Sequence, residues 1–156
     1  MQTCIVTECY GYECIGEYLR NAVGGKVRHK PNHDHELILQ DVAKDIKPRC
    51  NRLVVVIDYE IGDARILVKK NFQLTQICEK VLVGQEVNKL AGVVAVVFDP
   101  HIEAFAKWLG LNPRDKLKHE DACNYLYSEL KKDNDARFKF ENCIQRIAAA
   151  VRKFLG

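Results

Sequence analysis

Acidic side chains stand immediately after three apolar, β-branched runs: TCIVT (Thr3–Thr7) leads into Glu8, LVVVI (Leu53–Ile57) into Asp58, and VVAVVF (Val93–Phe98) into Asp99. Asp58 is followed closely by Glu60 and Asp63, and Asp99 by Glu103. Carboxylates drawn together repel and raise one another's pKa until something positive neutralises them. A hard divalent cation does this well, because Mg²⁺ takes oxygen ligands and keeps waters that a substrate phosphate can displace. Such a metal polarises a phosphoryl group or activates water, and a carboxylate outside its shell can act as general acid or base. These residues point to metal-assisted phosphoryl transfer or phosphodiester cleavage.

Each acid also has a plainer explanation. Asp99 before Pro100 has the form of a helix start, with Asp as N-cap and Pro at the first helical position. Asp63 suits a cap, Glu60 a loop acid, and Glu103 the favourable charge of a first helical turn. The plainer account is weakest for Glu8 and Asp58, which directly follow apolar strands.

The elements that must position these acids alternate between strand and helix. Strands are expected at Thr3–Thr7, Lys26–Lys30, Leu53–Ile57 and Val93–Phe98. The unbroken β-branched runs of the last two indicate strands covered on both faces, as in a parallel sheet. Helical spacing of Ile15, Tyr18, Leu19, Ala22 and Val23 follows the first strand and stops at Gly24-Gly25. Further helices are expected over Asp34–Lys47, over Asp63–Val83 with an irregularity near Phe72, and from Pro100 with Ile102, Phe105, Ala106 and Leu109 inward. The tail reads as two helices, His119–Lys132 and a last one carrying Phe140, Ile144, Ile147, Val151 and Phe154 on one face. The expected fold is α/β: a four-stranded, mostly parallel sheet with helices on both faces, residues 1–110, and a C-terminal helical extension of the same domain, residues 111–156. In such sheets ligands gather outside the carboxyl ends of the strands, where the acids stand.

At these residues the chain resembles the Toprim domain, the catalytic fold of type IA and type II topoisomerases, bacterial primases and several small nucleases. That family carries a Glu after its first strand and an Asp-x-Asp motif after a later one, on a four-stranded parallel sheet. Here IVTE supplies Glu8, and VVVIDYE supplies Asp58-x-Glu60 with Asp63 nearby. The segment VVAVVFDPHIEAFAKWL is similar to the strand and acidic helix of OLD-family and related small Toprim nucleases. The resemblance spans residues 2–110. It implies Glu8 as the acid/base group, Asp58 with Glu60 or Asp63 as ligands of Mg²⁺ or Mn²⁺, and Asp99 and Glu103 as supporting ligands. Two positions depart from the pattern: Cys9 stands where the family has Gly, and Glu60 where it has the second Asp. They leave room for the alternative, a catalytically inactive Toprim-like module that binds nucleic acid or a protein partner. A flavodoxin-like or receiver-like protein is a third option, but no Lys follows a late strand as a receiver needs.

Composition sets the remaining bounds. The chain has 156 residues, 47% hydrophobic and 29% charged, with a formal charge of +3, which suits one globular domain and is too mild to establish nucleic-acid binding alone. Basic residues concentrate in the last third, where they form either a solvated helical surface or a face for phosphates. Lys26, Arg28 and Lys30 alternate along a strand and suit either a charge-protected sheet edge or phosphate contact. With Lys69 and Lys70, Lys26 and Arg28 are the candidate nucleic-acid contacts. The partner implied is DNA or RNA, a homodimer is compatible, and no apolar run is long enough to span a membrane. The seven cysteines show no Cys-x-x-Cys spacing, and their odd number reads as reduced core thiols in a cytoplasmic protein. The His-rich turn of His29, His33 and His35 suits a helix start better than a metal site. No P-loop, Gly-x-Gly-x-x-Gly or Gly-x-Ser-x-Gly element is present.

Overall fold

The computed structural model describes residues 3–8, 10–29, 50–87 and 93–156. The helix expected over Asp34–Lys47, the His33–His35 turn and Cys9 lie outside them. Four strands run parallel, β1 (Thr3–Thr7), β2 (Lys26–His29), β3 (Arg52–Asp58) and β6 (Val93–Phe98). A hairpin, β4 (Phe72–Cys78) and β5 (Val81–Glu86), joins β6 in antiparallel sense. The sheet order is β2-β1-β3-β6-β5-β4, so the expected α/β fold is present as a six-stranded mixed sheet rather than a four-stranded one. β2 lies at one edge, where its alternating charges suggest it should.

The hairpin corrects the long helix expected over Asp63–Val83. Helix α2 spans Asp63–Asn71 only, and the chain turns extended at Phe72. Two features hid the strands. A bulge between Gln76 and Cys78 breaks the period-2 pattern of β4. In β5, Val81 and Val83 point into one core while Leu82 packs toward the other, so an apolar run reads equally as a buried helix.

Hydrophobic layers cover both sheet faces. On one, Ile5, Val54, Val56, Val94, Val96 and Phe98 pack beneath helices α1 (Tyr10–Val23), α3 (Ile102–Leu109), α4 (Ala122–Lys132) and α5 (Asn134–Leu155). Alternate residues Cys4, Val6, Leu53, Val55, Ile57, Ala95 and Val97 face the opposite layer, closed by Val68 of α2 and Phe72. Continuous burial along β3 and β6 matches their unbroken β-branched runs. The tail helices share the first layer with the sheet: Phe140, Ile147 and Val151 belong to the same buried cluster as Phe98 and Phe105.

Six of the seven cysteines form disulfides, Cys4–Cys50, Cys14–Cys123 and Cys78–Cys143. This corrects their reading as reduced thiols, and the inference of a reducing compartment loses that support. The partners are 46, 109 and 65 residues apart, a relation that linear spacing cannot reveal. Among the described residues no helix is long and apolar enough to cross a membrane.

Candidate active site

Strand order identifies where a site belongs. The chain leaves β1 toward β2 on one side and returns to β3 on the other, so β1 and β3 flank a topological switch point. Glu8 follows β1 and Asp58 ends β3, at adjacent carboxyl ends. The backbone N–H of Asp58 donates to Glu8 Oε2 at 2.6 Å, and the N–H of Glu8 donates to the Val56 carbonyl at 3.1 Å. Tyr12, fully buried in the first turns of α1, donates its hydroxyl to Asp58 Oδ1. The two acids expected to be central are therefore in direct contact.

Their electrostatics follow from that contact. Burial and then the Glu8 charge push the Asp58 carboxyl up to about 8, the Tyr12 hydrogen bond opposes this, and Glu60 and Glu103 raise it further. Four carboxylates from three rim segments thus share one field. Asp58, Glu60 and Glu103 line a cleft of about 300 Å³, together with Lys107, Arg114 and Lys118.

Glu103 and the cations of the cleft come from α3 and the segment after it. His101 caps α3, its Nδ1 accepting the Ala104 N–H at 3.3 Å and lying 3.1 Å from Glu103 Oε2. The helix therefore starts at Ile102, and Asp99 is not its cap as the Asp-Pro pair suggests. Glu103 and Lys107, four residues apart, lie on one helix face. Gly110 ends α3 with a left-handed φ of 98°, a conformation glycine adopts without strain. Buried Leu111 and Leu117 then anchor the segment that presents Arg114 and Lys118. Tyr125 of α4 ties this segment down, its hydroxyl donating to the Asn112 carbonyl at 3.0 Å.

Not every expected residue joins the group. Asp99 is ion-paired with Arg65, which also donates to the Tyr59 carbonyl at 2.8 and 3.2 Å and stacks 4.3 Å from the Tyr59 ring centre. Its charge is already balanced, and it pins the β6 exit to the β3 exit. Asp63 is an exposed first residue of α2, capped by Gly62. Lys26 pairs with Cys4 at the amino end of β1, the wrong end of the sheet, and the Arg28 backbone pairs with Val6. Lys69 and Lys70 occupy the last turn of α2, away from its rim end. Among the described side chains, Lys26, Lys69 and Lys70 do not line the cleft. Of the cations that do, Lys118 belongs to the basic last third read as either a solvated surface or a face for phosphates, whereas Lys107 and Arg114, like Tyr12 and His101, were not singled out from sequence. Only Tyr12 leaves a local signal, one helical turn after Glu8.

An all-oxygen donor set under mutual repulsion is chemically suited to a hard cation. Among the described residues, no group of three or more His, Cys, Asp or Glu is gathered into a ready cage for a metal. Mg²⁺ is usually held by one or two carboxylates plus waters and substrate phosphate, so the fit is to a site that substrate completes. No protein-family model, curated protein or solved structure matches the chain.

Proposed function

We propose that the cleft beside Asp58 is a phosphoryl-transfer site and that the chain is a Mg²⁺- or Mn²⁺-dependent nuclease of Toprim-like design. The observation that carries this reading is one cleft lined both by three acids, Asp58, Glu60 and Glu103, and by three cations, Lys107, Arg114 and Lys118. A phosphodiester beside a divalent cation complements both sets of charge, since the cation relieves repulsion among the acids and the phosphate oxygens meet the lysines and arginine. Asp58 and Glu60 would hold the cation with Glu103 in support, and a bound Mg²⁺ would polarise a phosphoryl oxygen and acidify water. Glu8, beside Asp58 and restrained by its backbone N–H, is positioned to take or give a proton.

The test is incubation with single- and double-stranded DNA and RNA in Mg²⁺ or Mn²⁺. Cleavage should fall by about 10²-fold or more in Glu8→Ala and Asp58→Ala. Cleavage that survives both substitutions rejects the assignment. A non-catalytic module is the second reading, favoured by Glu60 standing where Toprim domains have Asp. Nucleic-acid binding without turnover in either metal would establish it.

A further inference from the structure

A second notch lies where α3 meets α5, and it differs in kind from the carboxylate cleft. Its volume is about 290 Å³, with Trp108, Phe138, Lys139, Asn142 and Arg146 in its walls and Glu79 as its acidic member. Phe138 is 71% exposed, so its ring is not explained by packing. Phe138, Asn142 and Arg146 recur every four residues along one face of α5, and Phe138 to Arg146 spans about 12 Å at the helical rise. Trp108 leans on Phe105 with centroids 5.8 Å apart, and the Lys139 ammonium sits 5.4 Å from its ring centre. Lys139 also donates to the Trp108 carbonyl at 3.4 Å. The notch combines an exposed aromatic platform, a second aromatic wall and two cations.

We propose that this notch binds single-stranded nucleic acid, with a base stacked on Phe138 against the Trp108 wall and flanking phosphates on Lys139 and Arg146. Aromatic platforms beside cations are how proteins hold unpaired strands without reading sequence. A duplex keeps its base faces stacked and cannot use such a platform. The proposal does not depend on the carboxylate chemistry, although α3 carries both Lys107 of the first cleft and Trp108 of the second.

Trp108 is the single tryptophan of the chain and reports on the notch directly. The 156-residue chain is titrated with oligothymidylate in chelator, so that binding is read without turnover. Saturable quenching of tryptophan emission is expected, weaker with a blunt duplex of equal length. Phe138→Ala, at an exposed position, should weaken binding roughly tenfold. Lys139→Ala and Arg146→Ala should each reduce the slope of log affinity against log salt by about 0.7. Unchanged emission at micromolar oligonucleotide, wild-type affinity in Phe138→Ala, or equal quenching by inorganic polyphosphate would each overturn the proposal.

Discussion

Asp58 shows how a single side chain couples stability to chemistry. In the unfolded chain it releases its proton near the ordinary value of 3.8, whereas in the fold it does so at about 8. Between those values the folded state holds more protons than the unfolded one, so stability falls as pH rises across that window. Asp58→Asn removes the titration while keeping an acceptor for the Tyr12 hydroxyl. The variant should therefore be the more stable protein at pH 8, with a flatter dependence of urea midpoint on pH than the native chain. A divalent cation bound at Asp58 must displace its proton. Mn²⁺ titrated by calorimetry in two buffers of different ionisation enthalpy should thus report proton release near neutral pH, lost in Asp58→Asn. Equal heats in both buffers would argue against Asp58 as a ligand. Of the site's residues, Glu8 and Asp58 were legible because each directly follows an apolar strand. Asp99 looked equivalent by that criterion, and its capture by Arg65 was invisible because the two lie 34 residues apart.

At the scale of elements, the hairpin β4–β5 depends on a close backbone approach. A Cβ added at Gly84 would lie 1.9 Å from the Gln73 carbonyl oxygen, so the strands must separate to admit one. Gly84→Ala should destabilise the fold by about 1–3 kcal/mol, seen as a lower thermal midpoint, with the loss concentrated in amide protection of β4 and β5. The same crowding explains a sequence-level failure. Glycine within an apolar run is a mark of close backbone contact in a sheet, yet the expected helix ran to Val83 and stopped just before it. The parallel strands were easier to read because burial on both faces demands continuous apolar residues. The hairpin, buried unevenly and interrupted by a bulge, obeys no single period.

At the scale of the molecule, three disulfides tie distant segments together, Cys78–Cys143 fastening the added hairpin to the last helix and Cys14–Cys123 joining α1 to α4. Thiol titration of the unfolded, unreduced protein should find no more than one reactive group per chain, against seven after reduction. Loop closure of this length stabilises by about 3–5 kcal/mol per bridge in the chain-entropy account, so reduction should lower the thermal midpoint markedly. Seven reactive thiols before reduction would instead restore the reading of free core cysteines.

Local chemistry in the chain determined that parallel strands alternate with helices and that acids follow three of them, because burial dictates hydrophobic period and strand ends dictate where polar residues resume. Which acids meet, which one is claimed by an arginine, which cations face them and which cysteines pair were decided by tertiary structure alone. Those relations join positions tens of residues apart, and the interaction between two charges or two sulfurs depends on their separation in space, which linear spacing does not encode.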